Sequence, residues 1–287
     1  MDGSPLLLVT RYAVLRDHDQ FIACRTAGAD QVVCPMNSFS QYVMEEVRRR
    51  GVHIRLARAA RRYGLDVRES SKHPNLVDFI NDRKIDVVLD VGANAGQFGQ
   101  KLRGFGYRGA IVSYEPVSSA FKYLEEIAKS DDKWTVHNFA IGTESGQLKI
   151  NISANSKFSS TLSLRDEAQE FHGGVVTDRV ESVPAWTLDQ VATECEGNIL
   201  IKIDTQGFER QVIEGGRKTV ARSKGVFMEL PIIALYKNSW RLSQAIEYMD
   251  NIGFVPTQID PVNYHPMDRQ ALVEIDCLFR PRDERLD

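Results

Sequence analysis

The sequence predicts an α/β fold: a mostly parallel, twisted sheet with helices on both faces, preceded by a helical N-terminal extension. Three observations carry that expectation. From Lys84 onward, short apolar runs alternate with amphipathic stretches, the pattern of strands buried on both faces and joined by helices. The first run ends in the glycine loop Gly92-Ala93-Asn94-Ala95-Gly96, which opens a helix. The second run ends in a carboxylate, Glu115.

The elements follow in order. Ile85 to Val91 is the first strand, Gly96 to Phe105 a helix, Ala110 to Tyr114 the second strand and Val117 to Lys129 the second helix. Trp134 to Phe139 reads as the third strand. Ile199 to Ile203 is another buried strand, Glu209 to Ala221 one helix, and Val226 to Leu230 the next strand. Leu242 to Ile252 is helical, with closing strands at Phe254 to Ile259 and Ala271 to Phe279. Residues 142–186 break this rhythm. They are richer in Ser, Thr, Asn and Gly, with alternating strands at Gln147 to Ile152 and Val180 to Trp186, and read as an insertion over the carboxyl edge of the sheet.

Residues 1–75 form the expected extension and 76–287 the main domain. Residues 1–35 carry no clear periodicity. From Ser40 to Tyr63, apolar positions at helical spacing alternate with Arg48, Arg49, Arg50, Arg55, Arg58, Arg61 and Arg62. Such a basic amphipathic helix suits peripheral contact with an anionic membrane or a phosphate-bearing substrate; a solvated face capping the domain is the plainer reading. Gly64 would end it, and Asn75 would cap a helix from Leu76 to Arg83.

The 287 residues, 43% hydrophobic and 26% charged, supply enough apolar material for one large domain. Lys+Arg 36 against Asp+Glu 39 leaves a net charge of −3, which argues against a nucleic-acid partner. Four cysteines without CxxC spacing point to reduced thiols rather than a disulfide or zinc scaffold. No apolar run is long enough to span a bilayer, so a cytoplasmic location is expected. The sequence carries no signature of an oligomeric state.

Chemistry concentrates at the carboxyl ends of the expected strands. In Asp90-Val91-Gly92-Ala93-Asn94-Ala95-Gly96, the dinucleotide fingerprint fails because Asn94 stands where the backbone must be bare for a pyrophosphate. That counts against a nicotinamide oxidoreductase and favours an adenosine ligand without phosphates. Glu115 is placed to accept the hydroxyls of a ribose, and Asn138-Phe139-Ala140 to line an adenine edge. A non-catalytic adenosine-binding module remains an alternative.

The motifs Asp90 to Gly96, Tyr114-Glu115-Pro116, Asn138 to Gly142, Leu188-Asp189 and Lys202 to Glu209 (Lys-Ile-Asp-Thr-Gln-Gly-Phe-Glu) resemble, in this order, those of FkbM-family methyltransferases. Glu229-Leu230, Leu235-Tyr236 and Glu274 to Phe279 resemble that family's closing strands. The resemblance covers about residues 76–280. It implies a class I methyltransferase sheet, S-adenosylmethionine as cofactor, and methylation of a hydroxyl on a saccharide or glycosylated specialised metabolite. Asp90, Gly92, Asn94, Gly96, Glu115, Asn138 and Ala140 are then the cofactor positions.

A hydroxyl becomes a good nucleophile only as its proton leaves, so a positioned base is expected. Asp204 is the first candidate, with anchoring of the cofactor's amino group as its other role. Glu209 is the second, and capping of its helix is the competing role. His172 is a third. Ser160 and Thr161, in a serine-rich loop, join Glu229 and Tyr236 as candidate acceptor contacts, and Lys202 is expected to pair with an acidic neighbour. Asp204 and Glu229 together could hold a divalent cation, but two carboxylates without a third ligand or a histidine assign no metal.

Overall fold

The computed structural model describes residues 75–153, 177–233, 236, 239–265, 267–268 and 270–283, all within the compact unit Pro74–Asp287. The expected basic helix, and with it Ser160, Thr161 and His172, lies outside the described residues.

Helix α1 (Leu76–Asp82) starts at a reciprocal cap: Asn75 Oδ1 accepts from the Val77 and Asp78 amides, and Asp78 Oδ2 accepts from the Asn75 amide. Strand β1 (Val87–Val91) leads into α2 (Gln97–Gly104), β2 (Ala110–Tyr114), α3 (Ser118–Ala128) and β3 (Trp134–His137). After an intervening segment come α4 (Leu188–Val191), β7 (Ile199–Ile203), α5 (Glu209–Gly215), α6 (Arg217–Arg222) and β8 (Gly225–Pro231). Helix α7 (Leu242–Asn251) precedes the final strands β9 (Phe254–Tyr264) and β10 (Leu272–Pro281).

The main sheet has the order β3-β2-β1-β7-β8-β10-β9. Its first five strands run parallel; β10 is antiparallel to both β8 and β9. This is a class I methyltransferase sheet, and its topological switch falls between β1 and β7. Every residue of those two strands is buried, as central strands covered on both faces require. Alternation divides them between two cores. Leu89, Val91, Ile201 and Ile203 pack toward α5 and α7, with Val212, Ile213 and Met249. Val88 and Leu200 pack on the opposite face with Leu102, Leu124 and Trp134. Asp90 and Lys202 share the parity of Val88 and Leu200, and the register sets them side by side.

Two expectations need correction. The third strand pairs with β2 only as far as His137; Asn138 and Phe139 then turn the chain, and Ala140–Gly142 (β4) joins a second sheet with β5 (Gly146–Ser153) and β6 (Thr177–Thr187). That small sheet builds its own core from Ile150, Ile152, Val183 and Ala185 against Val117 and Ala120 at the start of α3. The expected helix Glu209 to Ala221 is two helices, broken at Gly215–Gly216. The β4 backbone passes so close that a Cβ on Gly215 would lie 1.9 Å from the Gly142 carbonyl oxygen. The freed amides of α6 are satisfied by Asp189, whose carboxylate accepts from Lys218 N at 3.1 Å and Thr219 N at 2.8 Å.

Candidate active site

The carboxyl ends of β1, β2, β3 and β7 converge on the glycine loop. Gly92, Asn94 and Gly96 all adopt left-handed backbone, with φ of 76°, 48° and 86°. At Gly92 this is enforced from outside: a Cβ there would sit 1.9 Å from the Asp204 carbonyl oxygen, so β7's end can close on the loop only over a glycine. The Gly92 and Ala93 amides both donate to the Tyr114 carbonyl, tying the loop to β2.

Glu115 is the hub of this region. One carboxylate oxygen accepts from the Asn94 amide at 2.7 Å, the other from the Val117 amide at 2.8 Å. Asn138 Nδ2 donates to the Glu115 carbonyl at 2.9 Å, so three strand ends are knitted through one residue. Burial pushes the Glu115 carboxyl up to about 7, while the two amides and Lys202 favour its charged form. Ala140 stands in β4, its side chain packed into the small sheet's core. His137 stacks on Tyr114 with ring centres 5.4 Å apart, and burial lowers its pKa, so it is a packed aromatic rather than a proton carrier.

Lys202 ties the loop to β7. Its Nζ lies 3.0 Å from Asp90 Oδ1, donates to the Gly92 carbonyl at 2.8 Å, and stands 3.7 Å from Asp204 Oδ2. Burial opposes its charge, but Asp90 and Asp204 outweigh that and raise its pKa. Asp90 is fully buried, with the Ser113 hydroxyl donating to its other oxygen at 3.2 Å. Asp90 therefore acts on the loop through Lys202.

Past β7 the chain makes a tight turn, with Gln206 and Gly207 left-handed at φ 55° and 98°. Glu209 holds it: one carboxylate oxygen accepts from the Thr205 amide, the Thr205 hydroxyl and the Gly207 amide at 3.0–3.2 Å. Burial pushes its carboxyl up to about 7. Asp204 differs, its side chain one-third exposed at the cleft. Gln206 Nε2 donates to Asp204 Oδ1 at 2.8 Å and to Glu229 Oε1 at 3.2 Å, and Tyr236 donates its hydroxyl proton to Gln206 Oε1 at 3.0 Å. The turn thus gathers Asp204, Glu209, Glu229 and Tyr236 from β7, α5, β8 and the segment after it. Among the described residues no group of three His, Cys, Asp or Glu is arranged to hold a metal ion, and no helix is long and apolar enough to cross a membrane.

Residues 90–256, more than half of the chain, match the family model of the methyltransferase FkbM domain. The chain belongs to the FkbM methyltransferase family. Methyl transfer is the reaction class that membership brings. Among individual relatives, the 2-O-methyltransferase NoeI of Sinorhizobium fredii (strain NBRC 101917 / NGR234) is 22% identical over 217 residues, covering 71% of this chain and 89% of NoeI. Of solved structures, the methyltransferase FkbM of Methylobacillus flagellatus KT is similar with a TM-score of 0.44 at 16% identity. The match covers 67% of this chain, which spans only 43% of that longer one. Aeropyrum pernix fibrillarin, solved with natively bound S-adenosyl-L-methionine, is similar with a TM-score of 0.40 at 10% identity, over 68% of this chain and 66% of that chain.

Three residues of this FkbM methyltransferase lie in motifs read from the sequence but were not assigned to the site. Gln206 bridges two carboxylates, and Glu274 and Asp276 bring two more from β10, where Asp276 pairs directly opposite Glu229. The available signal was the pair of acids at period two in the otherwise apolar run Leu272 to Phe279.

Proposed function

We propose that this chain is an S-adenosylmethionine-dependent O-methyltransferase acting on a hydroxyl of a saccharide or glycosylated metabolite, with Asp204 as the base. The observation that carries the cofactor reading is the Glu115 hub. A buried carboxylate bonded to the Asn94 amide stands where a nucleoside's ribose is held in such sheets, beside a loop whose middle position is a non-glycine and so unsuited to a pyrophosphate. Each Glu115 oxygen accepts one amide proton and keeps a lone pair for a ribose hydroxyl. The hydroxyl specificity is supported by the relative NoeI, a 2-O-methyltransferase.

The bound cofactor supplies a methyl group on a sulfonium, open to in-line displacement. The chain supplies alignment and a proton acceptor. Asp204 sits at the carboxyl end of β7 with one oxygen anchored by Gln206. It would take the proton of the acceptor hydroxyl as that oxygen is methylated, a role its partly exposed position at the cleft allows. Glu209 lacks that freedom, because one oxygen is committed to the turn and the residue is only 2% exposed. Lys202 holds the loop and stands beside Asp204 as a positioning residue.

The test is transfer of a labelled methyl group from S-adenosylmethionine to a glycan and glycolipid panel. Asp204→Asn should lower turnover about a hundredfold or more with cofactor affinity little changed. A loss of cofactor affinity equal to the loss of turnover would make Asp204 an anchor for the cofactor instead. Transfer to nitrogen, and to no hydroxyl, would overturn the assignment.

A further inference from the structure

Beyond the Gln206 bridge lies a pocket lined by Gln206, Gly207, Glu209, Glu229, Pro231, Tyr236 and Glu274. Three of these are carboxylates, none is a cation, and Asp276 stands beside the pocket opposite Glu229. Like charges directly opposite across a ladder are unfavourable without a counter-charge. Among the described residues, Lys101 and Lys202 act on Asp276 from outside the lining, and Lys202 is committed to Asp90 and to the Gly92 carbonyl.

The second observation is Glu209. It is 98% buried, being 2% exposed, and its Oε2 is without a hydrogen-bond partner while Oε1 accepts three. Glu209 is one of the pocket's lining residues, and a buried carboxyl oxygen left without a partner carries a cost that a donor arriving there would relieve. Among the described residues, the side-chain donors at the pocket already have acceptors: the Gln206 amide bridges Asp204 and Glu229, the Tyr236 hydroxyl proton goes to Gln206, and Asn263 donates to Glu274 at 2.6 Å.

What fits is a group that only donates, carries positive charge, and is small. The pocket has room for roughly one water-sized group, which is the size of an ammonium head. An ammonium has three donors and no acceptor, the complement of this lining. We infer that this pocket seats a protonated amine of the methyl acceptor, so that the acceptor is a hydroxylated amine such as an amino sugar. The inference rests on the proposed reading of the chain as a hydroxyl methyltransferase. It adds the recognition element that orients the acceptor hydroxyl toward Asp204, since Gln206 touches both Asp204 and the pocket wall. Burial, with Asp204 next, pushes the Glu229 carboxyl well up from its ordinary value, the direction expected of a carboxylate whose counter-cation arrives with the ligand.

The experiment uses the full chain at pH 7 and four probes: glucosamine, ethanolamine, glucose and N-acetylglucosamine. Binding is read by thermal shift and by calorimetry, in the presence and absence of S-adenosylmethionine. Glucosamine and ethanolamine should raise the melting temperature, and glucose and N-acetylglucosamine should not. Glu274→Gln and Glu229→Gln should each weaken glucosamine at least tenfold while cofactor affinity stays within twofold, which also shows that the variants are folded. Equal binding of glucosamine and glucose, or no binding of either amine to protein that binds cofactor, would overturn the proposal. So would competition between ethanolamine and S-adenosylmethionine, because the pocket would then hold the cofactor's own amino group. A melting shift by magnesium chloride with none by the amines would replace the amine with a metal ion. Wild-type protein that seats the amines but binds no cofactor would refute the methyltransferase reading and leave this pocket standing.

Discussion

Replacing Lys202 by methionine removes one charge from the middle of the sheet and keeps the side chain's length. Asp90 is fully buried, and its carboxylate lies 3.0 Å from the Lys202 ammonium. At an effective dielectric of about 20 that contact is worth about 5–6 kcal/mol of attraction, largely offset by the cost of desolvating both ions. Removing only the cation leaves the cost on Asp90 in place, with the Ser113 hydroxyl at 3.2 Å as its remaining polar contact. Lys202→Met should therefore destabilise the protein by about 3–5 kcal/mol, a large part of a typical total of about 5–15 kcal/mol. Urea unfolding of Lys202→Met, Asp90→Asn and the double variant measures it. If the pair acts as a unit, the double variant is more stable than the sum of the single losses implies, by about 2 kcal/mol or more. Cofactor affinity should fall in Lys202→Met as well, because the Gly92 carbonyl loses its donor. Additive losses within about 0.5 kcal/mol would refute the idea that the two charges depend on each other.

Glu115→Gln keeps one accepting oxygen but leaves either the Asn94 or the Val117 amide facing an NH2 group, so S-adenosylmethionine should bind at least about tenfold more weakly by calorimetry. Unchanged affinity in a folded variant would remove Glu115 from the cofactor site. The ligand-free protein should also be less stable at pH 8 than at pH 5. Glu115 and Glu209 are raised from 4.5 to about 7, so between those values the folded form holds protons that the unfolded chain has released. Their contribution is complete below the unfolded value and is lost as pH rises through about 7, at roughly 2–3 kcal/mol per group. A melting temperature that rises from pH 5 to pH 8 would contradict this.

The parallel half of the sheet was legible because its signals are local. The apolar runs at β1, β2 and β7 stop at Gly92, Glu115 and Asp204, and strand and run coincide almost to the residue. Asn75 as a helix cap and Glu115 at a strand end needed only the neighbouring residues. What was hidden depends on residues far apart in the chain. Glycine is required at Gly215, where the helix breaks, because Gly142, more than seventy residues earlier, passes against it. The third strand ends at His137 because Ala140 pairs with Ala185 instead of continuing on β2. Glu274 and Asp276 reach the site only because β10 docks antiparallel on β8, and nothing in their own segment names that partner.

The placement of β10 also sets an order of events during synthesis. Strand β9 is made before β10, yet among the described residues its ladder partner is β10 alone, which in turn fills the place beside β8. Until β10 emerges from the ribosome, β8 presents one open edge and β9 has no strand to pair with. The nascent chain thus carries two unsatisfied strand edges through the interval in which α7 and β9 are already made, the condition under which strands find wrong partners. The same late strand delivers Glu274 and Asp276, so the acidic wall beside Glu229 is assembled only in chains that have passed this stage. A nascent chain stalled before β10 would own its glycine loop and its Glu115 hub but no finished acceptor side.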